Sequence, residues 1–116
     1  MNTQIDYLYR DASNYKQHNS CIIAGEISDS QIETIMECLS EGEYFIPEQV
    51  GLPAKRFGEL SEDDHCWMEL DEYSFEHTKK KPTAKMNVNQ LVENFQNAKH
   101  DGWQDVYYYE MMCCCS

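Results

Sequence analysis

The sequence predicts an α+β fold in which a small antiparallel sheet of three to four strands is packed by two amphipathic helices. Three observations lead to this fold class: apolar residues alternate near the start of the chain, two later segments repeat apolar residues at the helical period, and 116 residues are enough for one core. We therefore expect a single acidic domain over residues 1–105 and an aromatic, cysteine-rich tail over residues 106–116.

Two strands are predicted at the start of the chain and two more further along. Ile5 to Tyr9 alternates apolar and polar residues, and Cys21 to Ile27 is a short apolar run. The polar segment Asp11 to Ser20, rich in Asn and Ser, is expected to join them as the long loop of an antiparallel hairpin. Trp67 to Phe75 is aromatic and partly alternating, which indicates a third strand, and Val106 to Tyr109 fits an edge strand.

A capping box predicts where the first helix begins. Ser28 suits the N-cap position, and Gln31 stands three residues later, where its side chain reaches back to the backbone of the cap. Gly42 is expected to end this helix. Its apolar stripe consists of Ile32, Ile35, Met36 and Leu39.

The second helix repeats the same signals. Asn87 caps it with Gln90 three residues on, and Gly102 is expected to stop it. Its apolar stripe consists of Val88, Leu91, Val92, Phe95 and Ala98. Between the two helices, Glu43 to Phe57 is apolar but interrupted by proline and glycine, which predicts an ordered loop on the core, and Lys79 to Pro82 predicts an exposed basic turn.

The net charge of −12 is unevenly distributed along the chain. Glu26 to Glu76 holds fifteen acidic residues against two basic ones, whereas the remainder holds six against seven. Charge of this sign opposes binding to nucleic acid phosphates and to anionic lipid, and it favours association with a basic protein surface. We expect a basic protein partner, without direct contact to nucleic acid or membrane.

The acidic residues supply the candidate binding site. Asp29, Glu33 and Glu37 recur every four residues opposite the apolar stripe, about 6 Å apart along the helix axis. For this row alone, a solvated helix face is an equally good interpretation; the further acidic clusters, which no lysine interrupts, favour binding. The predicted partner-binding residues are Asp29, Glu33, Glu37, Glu41, Glu59, Glu62, Asp63, Asp64, Glu69, Asp71 and Glu72.

A zinc site is the alternative cofactor hypothesis. His18, Cys21, His65 and Cys66 provide two histidines and two cysteines, a ligand set that zinc accepts, although the spacing is not that of a zinc finger. The competing interpretation places Cys21 in the core and the histidines on the surface. The sequence contains no nucleophile motif, phosphate-binding loop or metalloprotease signature, so we expect neither an enzyme nor another cofactor.

The six cysteines do not form a disulfide framework, because Cys113, Cys114 and Cys115 are contiguous and the others are scattered. The chain shows no signal-peptide pattern and no apolar run of about 20 residues. We therefore expect a cytoplasmic protein with free thiols.

Several segments resemble a family of small acidic proteins carried on mobile elements of gut Firmicutes. The likeness extends over most of residues 5–103 and departs from the family at Cys66, where the family has proline. The segments that carry it are Tyr9–Lys16, Gly42–Pro53, Arg56–Phe57 and Asp63–His65 with Trp67.

The resemblance implies a role in defence against host immunity, since the size and charge are similar to those of anti-CRISPR proteins that inhibit Cas9. Guide RNA and DNA lie in positively charged channels of such an effector, and an acidic protein that mimics DNA would block DNA loading there. Two other functions remain open at this point: a small zinc-binding regulatory protein of a mobile element, or an acidic adaptor for another basic protein.

Overall fold

The computed structural model describes residues 1–10, 16–53 and 67–103, and confirms the α+β fold. Within this part of the chain the sheet has five strands, two of which are only two residues long. The elements in chain order are β1 (Asn2–Arg10), β2 (Lys16–Ile23), α1 (Asp29–Cys38), β3 (Tyr44–Phe45), α2 (Pro47–Val50), β4 (Met68–Glu69), β5 (Phe75–Thr78) and α3 (Val88–Asp101).

β1 is the central strand, and all of its neighbours run antiparallel to it. β2 pairs along one side, with Leu8 opposite His18. The other side is shared by β4, with Leu8 opposite Glu69, and by β5, with Gln4 opposite Glu76. β3 then pairs with β4 and forms the far edge of the sheet.

The alternation in β1 separates a helix-covered face of the sheet from an open one. Thr3, Ile5, Tyr7 and Tyr9 are buried beneath the helices, whereas the residues between them are partly or fully exposed. Side chains of register partners lie on the same face, so Glu69 projects from the open face beside Leu8. This face carries the cleft described below.

Helices α1 and α3 lie side by side and run in the same direction. Near their first turns, the Gln31 Nε2 donates to Asn89 Oδ1 at 3.1 Å, and at their last turns the Lys99 Nζ donates to the Glu37 carbonyl at 3.0 Å. Both predicted capping boxes are present. Because the predicted caps and the first buried stripe residues are where they were expected, local sequence fixes where both helices begin.

The core lies between the sheet and the two helices. Phe45 of β3 is fully buried and contacts Tyr7 and Phe95, with ring centroids 5.7 and 5.6 Å apart. Phe95 in turn meets Trp103 at 6.1 Å. One aromatic cluster thus joins the sheet to α3, and a fully buried aromatic of this kind contributes several kcal/mol to stability.

The predicted hairpin forms, but its strands differ in length from the prediction. β2 starts at Lys16, so residues 16–20 belong to the strand and not to the loop, because each of them pairs with a residue of β1. The strand ends at Ile23 and not at Ile27, because the chain turns at Gly25 with a φ of 98°. Gly42 does not end the first helix either: α1 stops at Cys38, and Gly42 lies in the following turn.

The predicted third strand is divided into β4 and β5. A turn over residues 71–74 separates them, in which Asp71 Oδ1 accepts a hydrogen bond from the Tyr73 amide at 2.8 Å. The predicted loop after α1 does pack on the core, but it contains β3 and the short helix α2, which Pro47 opens and Gly51 closes. Val106–Tyr109 lies outside the described residues. In the part of the chain described, no helix is long and apolar enough to cross a membrane.

Candidate functional site

The first component of the site is the carboxylate row of α1. Asp29, Glu33 and Glu37 are all exposed, while Ile35 and Cys38 on the other side of the helix are buried. This is the face predicted from the sequence. The row follows from packing alone: once the apolar stripe faces the sheet, the residues between its members face water.

The end of this row is electrostatically unfavourable for the helix. Glu37 stands in the last turn of α1, which contains no basic residue of its own, and a carboxylate there opposes the helix dipole. Groups from α3 and the segment after it compensate at the backbone: Lys99 Nζ of α3 donates to the Glu37 carbonyl, and Nε1 of Trp103, two residues beyond α3, donates to the Cys38 carbonyl at 3.1 Å. The helix end is capped, but the Glu37 carboxylate itself is left to solvent.

None of the carboxylates of Asp29, Glu33, Glu37 and Glu41 forms an ion pair within the described residues. Adjacent members of the helical row repel each other by roughly 0.2–0.5 kcal/mol per pair. Within residues 1–10, 16–53 and 67–103, these like charges are therefore not neutralised by ion pairs. We call Asp29, Glu33, Glu37 and Glu41 the acidic row.

A second acidic group borders a cleft on the open face of the sheet. The turn after α1 brings Glu43 next to β4, where the Leu70 amide donates to the Glu43 carbonyl at 3.0 Å. Between this turn, β1 and the turn after β4 lies a cleft of about 520 Å³. The described carboxylates that line it belong to Asp6, Glu43, Glu69 and Asp71.

Glu69 differs from the other members of this group because it is neutralised. Its Oε2 accepts a hydrogen bond from Arg10 Nε at 2.9 Å, with the two side chains 31 % and 37 % exposed. The hydrogen bond and the negative charge of Glu69 raise the pKa of the Arg10 guanidinium. Glu69 was predicted as a partner-binding residue, but in the structure its charge already has a partner.

Asp71 and Glu72 lie in the turn between β4 and β5. Asp71 organises the turn, since its Oδ1 also accepts from the Ser74 hydroxyl at 3.2 Å. Glu72 is exposed, and beside it Tyr73 is 85 % exposed, in contrast to the buried Tyr7 and Tyr9. The sequence did not indicate which tyrosines are exposed; Tyr73 is an aromatic side chain suited to anchoring a partner next to charge.

The remaining predicted residues Glu59, Glu62, Asp63 and Asp64 lie outside the described residues. Glu43, on the other hand, was not predicted as a site residue. In the sequence analysis Glu43 appeared only as the first residue of the apolar segment Glu43–Phe57, which was interpreted as a loop on the core. Its position in the cleft depends on the hydrogen bond between its carbonyl and the Leu70 amide, which sequence spacing does not show.

The predicted zinc ligands do not come together where the structure describes them. His18 is exposed, whereas Cys21 is 3 % exposed, and residues three apart in a strand project from opposite faces. Burial raises the pKa of the Cys21 thiol to about 11, which favours the protonated form that metals do not bind. His65 and Cys66 lie outside the described residues, and among those described no group of three potential ligands occurs. These residues do not fit a zinc site that includes both His18 and Cys21.

The chain matches no protein-family model, no curated protein and no solved structure with which it was compared. The acidic row and the acidic cleft are therefore the features from which we infer a function.

Proposed function

We propose that the protein binds a basic protein through the acidic row and the neighbouring acidic turns, and thereby prevents that protein from loading its nucleic acid. The observation that carries the proposal is that the acidic row is exposed and forms no ion pair among the residues described, including Glu37 at the disfavoured end of its helix. A charge that breaks a local stability rule without a compensating contact is typical of a functional position.

The geometry of the row suits a channel that normally holds a phosphate backbone. Charges along α1 recur about every 6 Å, a spacing set by the helical rise of about 1.5 Å per residue. Opposite charge on the two surfaces accelerates association, and the attraction is screened beyond about 8 Å at physiological ionic strength. Binding of this kind requires no turnover, and it weakens as salt is added.

Exposed charges alone give low affinity, because individual surface ion pairs contribute about 0–1 kcal/mol. Tyr73 adds a large, exposed aromatic side chain beside Glu72. Aromatic residues surrounded by charge are the usual anchors of protein interfaces. We infer that Tyr73 provides contact area for the partner beside Glu72, in the turn between β4 and β5.

Because the chain resembles mobile-element proteins, we propose that the effector is Cas9. Cas9 holds its RNA–DNA duplex in a positively charged channel, which an acidic protein is able to occupy. An acidic adaptor for a different basic protein would use the same surface, so the two possibilities differ only in the partner.

The test is DNA cleavage by Cas9 and guide RNA at increasing molar ratios of this protein. We expect inhibition to saturate near one molecule per Cas9, a mobility shift assay to show that DNA no longer binds, and added salt to relieve the block. The order of addition provides the control: protein added after the DNA is loaded should have little effect. Full cleavage at a large excess would exclude Cas9, and inhibition at strongly substoichiometric amounts would indicate an enzyme.

A further inference from the structure

The positive charge of this acidic protein is concentrated in one loop. Lys79, Lys80, Lys81 and Lys85 are all exposed and account for four of the nine basic residues in the chain. None of them forms an ion pair within the described residues. We call these four residues the lysine loop.

Hydrogen bonds fix the backbone of this loop to the end of the sheet. Asn2 Nδ2 donates to the Lys80 carbonyl at 2.9 Å, and the Lys80 amide donates to Thr78 Oγ1 at 3.2 Å. The Thr83 amide donates to the Ile22 carbonyl at 2.8 Å, and the Ile22 amide donates back to Thr83 Oγ1 at 2.9 Å. The lysines are thus presented from a fixed backbone, which lowers the entropic cost of binding.

The lysine loop and Glu69 of the acidic cleft lie near opposite ends of β1. The loop contacts Asn2 at one end of β1, whereas Glu69 is opposite Leu8, six residues further along the strand. At about 3.4 Å per residue this separation is about 20 Å. Asp6, which also lines the cleft, is four residues from Asn2 along β1, or about 14 Å. The screening length is about 10 Å at 0.1 M salt, so interactions across these distances are largely screened.

The acidic residues nearest in sequence do not neutralise the loop. Glu26 lies 3.4 Å from His77 Nδ1. Glu76 is the register partner of Gln4 in the sheet and forms no ion pair among the described residues. Carboxylates are therefore close to the loop in sequence, yet none of those in the described part of the chain forms an ion pair with these lysines.

The free energies of binding favour a nucleic acid over an acidic protein as the partner of the lysine loop. Four exposed ion pairs with a protein, such as the acidic row of a second copy, would contribute roughly 0–4 kcal/mol, which does not offset the cost of association of about 4–15 kcal/mol. A nucleic acid carries condensed counterions, and their release drives binding to each neutralised phosphate. Lysine presents a point charge that suits phosphates and not base edges.

We propose that the lysine loop binds the phosphate backbone of a nucleic acid without reading its sequence. This activity goes beyond the proposed function, in which the acidic row contacts an effector protein. With both regions engaged, the protein would contact an effector and a nucleic acid other than the DNA whose loading it prevents, such as a guide RNA. This proposal differs from the expectation that net charge excludes direct contact with nucleic acid, because it assigns binding to one local cluster of positive charge.

The test is an NMR titration of the isolated protein with a 20-nucleotide single-stranded RNA at 0.1 M and 0.3 M salt, without any effector. We expect shifts of the backbone amides of Lys79, Lys80, Lys81 and Lys85. With about four phosphates neutralised, the slope of log K against log salt is about −3, so the threefold rise in salt weakens binding about 20-fold.

A pair of variants with equal net charge provides the control. K80Q/K81Q removes two positive charges and Q96E/N97D adds two negative charges at exposed positions near the other end of α3, so both have a net charge of −14 instead of −12. We expect K80Q/K81Q to halve the salt slope and Q96E/N97D to leave it unchanged. Equal loss in both variants, or no shift of the loop amides, would overturn the proposal. Sedimentation showing self-association that K80Q/K81Q abolishes would assign the loop to a second copy instead. Because no effector is present, failure here leaves the Cas9 test unaffected.

Discussion

The acidic row and the lysine loop carry opposite charges and are built in opposite ways. Three members of the acidic row, Asp29, Glu33 and Glu37, lie on a helix that forms its own backbone hydrogen bonds, and Glu41 lies in the turn that follows it. The lysine loop has no regular structure and depends on hydrogen bonds from β1 and β2. The comparison teaches that net charge describes neither region: a protein of net charge −12 presents a separate basic surface.

The two regions also differ in how much the tertiary structure adds to them. The lysines are contiguous or nearly so in sequence, and the loop needs only to be exposed. The acidic cleft is assembled from β1, the turn after α1 and the turn after β4, and the hydrogen bond from the Leu70 amide to the Glu43 carbonyl joins the last two. Loss of the fold should therefore damage the acidic cleft more than the charge density of the lysine loop.

The largest effect is expected on the free energy of unfolding, when the aromatic cluster of the core is disrupted. Phe95 is fully buried against Phe45 and Trp103, so Phe95→Ala should destabilise the protein by about 3–5 kcal/mol, measured by urea unfolding. The exposed neighbour Gln96→Ala should change stability by less than about 0.5 kcal/mol. Phe95→Leu should retain the fold and an intermediate stability. A loss below about 1 kcal/mol for Phe95→Ala would mean that this cluster does not support the helix layer.

Reversing the charge of three members of the acidic row should show whether this row binds the partner. D29K/E33K/E37K is expected to weaken binding to Cas9 without guide RNA by more than about 100-fold, measured by biolayer interferometry, because the three carboxylates become repulsive toward a basic channel.

The matched control is E76K/E93K/D101K, which reverses three exposed carboxylates elsewhere. Each reversal raises the charge by two, so both variants have a net charge of −6 instead of −12. Equal weakening in the two variants would show that overall charge, and not the row, determines affinity.

The same type of substitution, Thr→Val, made once beside the lysine loop and once in α1, should show how far each backbone depends on side-chain hydrogen bonds. Thr83→Val removes the acceptor of the Ile22 amide and should cost about 1 kcal/mol, with faster hydrogen exchange at Ile22 and weaker RNA binding. Thr34→Val in α1 removes a hydrogen bond to the Ser30 carbonyl at 3.0 Å. That carbonyl already accepts the helical hydrogen bond, so little change is expected. Equal costs would contradict the distinction between an anchored loop and a self-supporting helix.

The smallest effect should appear in stability at low salt. Glu37→Gln removes a carboxylate from the last turn of α1 and should stabilise the protein by about 0.3–1 kcal/mol, measured as a rise in Tm. Lys79→Gln should leave Tm nearly unchanged, because Lys79 forms no ion pair within the described chain. A lower Tm for Glu37→Gln would reveal a stabilising role for this carboxylate and weaken the case for a binding role.

Among the site residues, the sequence predicted what depends on local spacing. The acidic row of α1 follows from a period of four opposite an apolar stripe, and the structure exposes it as expected. The pairing of Glu69 with Arg10 was not predictable, because these residues are 59 positions apart and meet only when β4 pairs with β1. The separation of His18 from Cys21 depends on their lying in one strand, which begins five residues earlier than the polar composition of residues 16–20 indicated.

The sequence by itself determined the fold class, the starts of α1 and α3 and the buried stripe of α3, because capping and helical periodicity act between residues at most four positions apart. Only the tertiary structure decided where α1 ends, since its Glu37 and Cys38 carbonyls accept hydrogen bonds from Lys99 of α3 and from Trp103, which follows α3. It also decided how the charge is divided. Pairing along β1 places the lysine loop at one end of the strand and Glu69 of the acidic cleft about 20 Å away, a distance set by the rise of about 3.4 Å per residue. Composition reports the sum of the two charges, and only long-range pairing shows that they are separated.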